Sequence, residues 1–329
     1  KLGRTYSVTV DTGLEDINSN HLGRPFRFSM TPEPYFRATA FNPQDGSTVI
    51  DRQTWPAITF NSPVDTGILH SVRIAPAVEG HWQVNPSDSS FVTFRHLEPL
   101  DYNTTYTLSA GADASDAAGN IIHAAAASSF TTTAFKVAWI HPQDGSSGVG
   151  LASGTISIGF SGRIDTASAR RAFGLTPNTP GHVTASPDGL GFTSISDLAP
   201  NTRYTITLAA SLSSIEGAHL TAPYSFSFVT DRFRVSYTSP PDGAINVVRS
   251  STFSVLFNGR IDTASVRAAF HIMPDVALAF SIGDQNYQFY PTSQFAASTT
   301  YTVTIDSSMR SVAGHTMGVP YAFSFRTGE

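Results

Sequence analysis

Phe160-Ser161-Gly162-Arg163-Ile164-Asp165-Thr166-Ala167-Ser168 returns as Phe257-Asn258-Gly259-Arg260-Ile261-Asp262-Thr263-Ala264-Ser265, and only the second position differs. Identity of that degree points to duplication, so repeats are the frame for everything else. Outward from it, a turn motif occurs three times, as Asn42-Pro43-Gln44-Asp45-Gly46, His141-Pro142-Gln143-Asp144-Gly145 and Pro240-Pro241-Asp242-Gly243. A tyrosine flanked by Thr, Arg or Ser recurs at Tyr6, Tyr106, Tyr204 and Tyr301. Each unit closes on Phe26-Arg27-Phe28, Ser129-Phe130-Thr131, Phe226-Ser227-Phe228 or Phe323-Ser324-Phe325. Cutting after the closing segments gives modules at 36–133, 134–231 and 232–329, preceded by 1–35 as the tail of a fourth.

Inside a module the pattern alternates with period two, the signature of a half-buried strand. Thr155-Ile156-Ser157-Ile158-Gly159-Phe160, Tyr204-Thr205-Ile206-Thr207-Leu208 and Tyr321-Ala322-Phe323-Ser324-Phe325 are examples. Turn residues such as Pro187-Asp188-Gly189 separate the runs. Thr166 to Phe173 is alanine- and arginine-rich and reads as one or two helical turns crossing between sheets, capped by Asp165 or Thr166. The first module, with Gly67-Ile68-Leu69-His70, departs from that segment, which puts the helix in doubt there. The fold class is therefore all-β: tandem immunoglobulin-like β-sandwiches, each with a candidate short helical turn. The tyrosines follow turns and open strands, the setting of a tyrosine corner, in which the hydroxyl bonds to nearby backbone.

Composition narrows the function classes. The chain of 329 residues has 14% charged residues, a net charge of −5 and no cysteine. Disulfides, thiolate metal sites and cysteine nucleophiles are excluded. No basic patch is available for a phosphate backbone, so no nucleic-acid partner is expected. No apolar run approaches the roughly 18 residues that span a bilayer, so direct membrane insertion is not expected either.

The order of these motifs resembles the SbsA-type bacterial Ig-like domain. Its fullest example runs from Pro142-Gln143-Asp144-Gly145 through Leu198-Ala199-Pro200-Asn201-Thr202-Arg203-Tyr204 to Phe226-Ser227-Phe228-Val229-Thr230. The resemblance implies an extracellular or cell-surface bacterial location, in surface layers, adhesins, exported fibres or accessory parts of secreted enzymes. The junctions Thr131–Val137 and Val229–Val235 carry no Gly/Ser tract, and Thr31-Pro32-Glu33-Pro34-Tyr35 is stiffened by proline. Short junctions predict a rod, on the order of 100 Å long at ~3.3 Å per strand residue.

Site chemistry is sparse. Asp45, Asp144 and Asp242 are read as structural turn residues, with the following glycine taking positive φ. Tyr6, Tyr106, Tyr204 and Tyr301 are read as structural corners. Asp11, Glu15, Asp16, Asn18 and Asn20 gather oxygen ligands of the kind calcium prefers, and are the candidate metal set beside a plain solvated turn. No cofactor other than this candidate calcium is expected. No nucleophile elbow, zinc helix motif or phosphate loop is present in the sequence, and the chain is read as not an enzyme.

The expected role is a non-catalytic structural rod in a surface layer, sheath, stalk or filament, self-assembling with copies of itself. The alternative is an adhesin or accessory segment with a glycan or protein ligand, met at loops unique to one module: Trp82-Gln83-Val84-Asn85 or Asp284-Gln285-Asn286-Tyr287. Residues 1–35 form a lone hairpin. Either the chain is a piece of a longer array, or a neighbouring molecule completes the sandwich by strand addition.

Overall fold

The alternating stretches become strands with one face buried. In Arg203–Leu208 the residues Tyr204, Ile206 and Leu208 are buried between exposed or half-buried neighbours, and Tyr224–Thr230 repeats the pattern through Phe226, Phe228 and Thr230. The computed structural model describes residues 2–152 and 154–329. It divides into two compact units, 1–134 and 135–329.

The first unit opens with an antiparallel hairpin, β1 (Tyr6–Val10) and β2 (Phe26–Met30). An eight-stranded sandwich follows: β3 (Ala38–Asn42), β4 (Ser47–Ile50), β5 (Ala57–Phe60), β6 (Val72–Ala75), β7 (Gly80–Val84), β8 (Phe91–His96), β9 (Thr105–Ala110) and β10 (Ala126–Thr132). One sheet has the order β3-β5-β8-β7 and the other β4-β10-β9-β6. Among the described strands of this sandwich β4 alone pairs parallel, along β10.

The second unit repeats this plan twice. Its first sandwich comprises β11 (Val137–His141), β12 (Ser146–Val149), β13 (Thr155–Phe160), β14 (Phe173–Thr176), β15 (Gly181–Ser186), β16 (Gly189–Ser194), β17 (Arg203–Leu208) and β18 (Tyr224–Thr230). Its second comprises β19 (Val235–Ser239), β20 (Ala244–Val247), β21 (Phe253–Phe257), β22 (Phe270–Met273), β23 (Leu278–Ile282), β24 (Asn286–Pro291), β25 (Thr300–Ile305) and β26 (Tyr321–Thr327). Sheet orders are β11-β13-β16-β15 with β12-β18-β17-β14, then β19-β21-β24-β23 with β20-β26-β25-β22.

Short helices α1 (Thr166–Ala172) and α2 (Thr263–Ala269) carry the chain from one sheet to the other. Asp165 caps α1 by accepting the Ser168 N–H, and Asp262 caps α2 by accepting the Ala264 N–H. In the first sandwich the crossing is a 3-10 helix, Thr66–His70, begun by Asp65. A 3-10 turn stands there in place of the α-helix of the other two sandwiches, because the aspartate cap is kept while the alanine-rich stretch is not.

Stacked rings tie the two ends of each core. Phe36–Phe60, Phe135–Phe160 and Phe233–Phe257 stack at the entrance. Tyr106–Phe130, Tyr204–Phe228 and Tyr301–Phe325 stack across the closing hairpins. Each entry phenylalanine is 1% exposed, so the chain is anchored one residue into each new sandwich.

Candidate functional site: the joint between the second and third sandwiches

The segment joining the two sandwiches of the second unit is held at nearly every residue. The Asp231 N–H donates to the Val149 carbonyl, and its own carbonyl accepts the Asn201 N–H. Two residues on, Phe233 is buried in the next core. The Asn258 side chain bridges the step: its Oδ1 accepts the Arg234 N–H at 3.0 Å and its Nδ2 donates to the Arg232 carbonyl at 2.7 Å. Asp231 also pairs with the Arg234 guanidinium. Asn61 treats Arg37 and Tyr35 in the same way in the first unit, and Ser161 accepts the Lys136 N–H.

A second set of contacts crosses from sandwich to sandwich. Leu151, in the loop after β12, is 1% exposed and belongs to the core cluster of the following sandwich. The N–H groups of Leu151 and Ala152 both donate to the Asn258 carbonyl. The Asp197 carboxylate, 4% exposed, accepts the Arg260 backbone N–H and the Arg260 Nε at 2.9 Å. The guanidinium also reaches the Ile195 carbonyl. Gly259 is needed for this approach, since a Cβ there would lie 3.0 Å from an Asp197 oxygen and 3.3 Å from Leu151 Cβ. A desolvated carboxylate with two charge-assisted bonds, an inserted leucine and a linker anchored on both sides together oppose bending.

The residues expected to be structural make bonds inside each sandwich. Asp45, Asp144 and Asp242 do not merely close their own turns. Their Oδ1 atoms accept the N–H of Ser129, Ser227 and Ser324 on the closing strands, at 2.7, 2.9 and 2.8 Å. The next residues, Gly46, Gly145 and Gly243, return a bond to the same serines' carbonyls. The turn is thus docked on the sheet edge, because the parallel strand beginning just after it pairs with that closing strand. The hydroxyls of Tyr106, Tyr204 and Tyr301 accept the N–H of Asp101, Ala199 and Ala296, five residues upstream. The position five before Tyr6 is Lys1, outside the described residues.

Beside each corner lies a buried threonine that sequence reasoning missed. Thr132, Thr230 and Thr327 donate to the carbonyls of Asp101, Ala199 and Ala296 at 2.6 Å and accept the N–H of Thr104, Thr202 and Thr299. The Phe-x-Thr ending shared by the three closing strands is their signal. Leu151 and the Asp197–Arg260 pair had no comparable sign, since neither falls in a repeated motif.

In the candidate calcium loop, Asp16 accepts the N–H groups of Asn18 and Asn20 and the Asn20 side-chain amide. The hydrogen bond from the Asn20 side-chain amide, with those from the Asn20 and Asn18 N–H groups, holds the pKa of the Asp16 carboxyl below its ordinary value. Asp11 accepts the Gly13 N–H, and Glu15 lies 3.6 Å from His21. Among the described residues no group of three or more His, Asp or Glu could hold a metal ion. The Asp16 arrangement recurs at Asp116 with Ala118 and Asn120, which marks it as a turn device. At Asp116 burial pushes the pKa up, but the bonds from Asn120, Ser62 and Ala118 outweigh it and leave the group below 3.8.

The two candidate ligand loops also differ from expectation. Trp82 is half-buried and packs edge-on against Phe94. Tyr287 is 1% exposed in the core, where Phe270, Phe280 and Phe289 surround it. The exposed indoles are instead Trp55 and Trp139. A depression of about 350 Å³ is lined by Arg260, Asp262, Thr263 and Asp284, and Asp262 in it is already committed to capping α2. No helix among the described residues is long and apolar enough to cross a membrane.

The profile of the Bacterial Ig-like domain family matches residues 33–132, 131–230 and 229–327. No curated protein matches the chain. Among solved structures, domains 1–6 of the surface layer protein SbsC are 11% identical over 89% of this chain and 54% of that one, with a TM-score of 0.24. An LD transpeptidase, LdtMt1, is 17% identical over 44% of this chain and 63% of its own, with a TM-score of 0.24. The I9–I11 tandem of titin is 6% identical over 89% and 98%, with a TM-score of 0.26. This chain thus spans less than two thirds of the first two, and scores this low equate neither the arrangement of sandwiches nor any site.

Proposed function

Because the chain belongs to the bacterial Ig-like domain family, matched from residue 33 to residue 327, we propose that it is a non-catalytic structural segment of a bacterial cell-surface protein. Its role is to transmit load through stiffly jointed sandwiches in a layer, sheath, stalk or filament, in contact with further copies of itself. The observation that carries this reading is the joint, where Leu151, Asp197, Asn258 and Arg260 fasten one sandwich to the next. A chain selected only to display separate binding modules has no use for a carboxylate buried across their boundary. Electron microscopy of the purified whole chain tests it: ordered, self-associated particles are expected, and dispersed monomers at all concentrations would contradict it.

An adhesin reading is supported by one observation. Trp139 is 55% exposed and packs against Gly159, whose missing Cβ would sit 2.0 Å from the indole Nε1. An exposed indole fixed on a sheet offers apolar surface and an N–H donor to a sugar ring or an apolar side chain. Glycan-array binding abolished by Trp139→Ala would favour that reading, and an array without hits would remove its glycan form.

A further inference from the structure

We propose that the outer face of the first sandwich carries a site for a carboxylated sugar, with Arg95 meeting the carboxylate and Gln83, Asn85 and Thr93 meeting ring hydroxyls. The placement follows from strand alternation. Along β8, Val92 and Phe94 are buried in the core, so Thr93 and Arg95 belong to the opposite face. On β7, Gln83 pairs with Thr93 and His81 with Arg95. Gln83, Asn85, Pro86, Thr93 and Arg95 line a cleft of about 100 Å³, and no Asp or Glu is among them.

Arg95 is what makes the cleft a site. Its guanidinium lies 3.5 Å from the centroid of the Trp55 ring, which fixes its place without using its N–H donors. Among the described residues Arg95 forms no ion pair, whereas Arg37, Arg234 and Arg260 each hold a carboxylate. An oriented guanidinium with open donors is complementary to a carboxylate, which it takes through two parallel bonds. The groups beside it are neutral. Asn85 Oδ1 accepts the Ser87 N–H at 2.9 Å, which leaves Nδ2 to donate outward. A bare inorganic anion leaves these neutral groups unmatched, while a sugar acid carries hydroxyls beside its carboxylate on one ring. Trp55, 51% exposed, adds apolar surface next to the guanidinium for the ring's C–H face. The fold has no need of this pair. The β5–β8 register, continued from Ala57↔Thr93, puts Trp55 opposite Arg95. The equivalent pair in the second sandwich is Thr155↔Thr193, and in the third Tyr290 stands where Arg95 does. The inference rests on the adhesin reading in that the ligand is a glycan, but it places that ligand on a different sandwich from Trp139.

Isothermal titration of the whole chain with oligogalacturonate, oligoglucuronate and oligomannuronate tests it, beside the methyl ester of each. At least one free acid is expected to bind. Its methyl ester on the parent chain, and the acid on Arg95→Gln, should each bind about 10-fold more weakly or worse, while Trp139→Ala leaves the affinity unchanged. The ester arm uses the unaltered protein, so misfolding of a variant cannot imitate it. No binding of any of these acids would overturn the proposal, as would equal affinity for acid and ester. Binding lost in Trp139→Ala but kept in Arg95→Gln would overturn it while leaving the adhesin reading in place. Displacement by acetate at the same carboxylate concentration would reduce the cleft to a simple anion site and overturn it too.

Discussion

Tyr287 carries its hydroxyl into the core without a hydrogen-bond partner, and burial pushes its pKa up. Leaving such a donor unmade is costly, so Tyr287→Phe is expected to stabilise its sandwich by about 1 kcal/mol. Slower exchange of the β24 amides would register it, and a net loss of stability would contradict it. Asp116 supplies a pH test. Its folded pKa is depressed, so its contribution is fully present above the unfolded value near 3.8 and is lost as pH falls through the lower folded value. Asp116→Asn is therefore expected to cost stability at neutral pH, and the gap to the parent should close on acidification below about pH 4. A gap independent of pH would assign the effect to shape rather than charge. Neither residue could be read in advance. Tyr287 follows a Gly-Asp-rich turn and looks like loop, although its stretch Asn286-Tyr287-Gln288-Phe289 already alternates. Asp116 looks like one more polar turn residue until Ser62, from a distant strand end, is seen to bond it.

At the scale of elements, strands and turns were legible because alternation and Asp-Gly punctuation are local signals. The helical crossing was legible at Thr166–Ala172 for the same reason. Partners distant in sequence were not. That Asp144 holds Ser227 follows from the parallel pairing of β12 with β18, which no short window contains. Asp144→Ala removes an acceptor from the Ser227 N–H at the sheet edge and is expected to cost about 1–2 kcal/mol. Faster exchange at Ser227 and neighbouring β18 amides is the readout; an unchanged Ser227 rate would mean that the turn, not the cross-strand bond, is what the aspartate serves. Thr230→Val tests the neighbouring corner more severely, since it leaves both the Ala199 carbonyl and the Thr202 N–H without the hydroxyl.

For the molecule as a whole, the tandem arrangement could be read from the repeats. The absence of a Gly/Ser tract predicts short junctions, but the fastening of one sandwich to the next depends on Leu151 and Asp197, which sit in unrepeated loop positions. Breaking a largely buried pair leaves a desolvated charge; with Arg260 35% exposed, the loss for Asp197→Ala is expected at about 1–3 kcal/mol. Residual dipolar couplings on the whole chain test the central claim most directly. Alignment tensors fitted separately to residues 135–230 and 233–327 should coincide in the parent and diverge in Asp197→Ala combined with Leu151→Ala. Tensors that already differ in the parent would mean that the two sandwiches swing independently, and the load-transmitting joint would not exist.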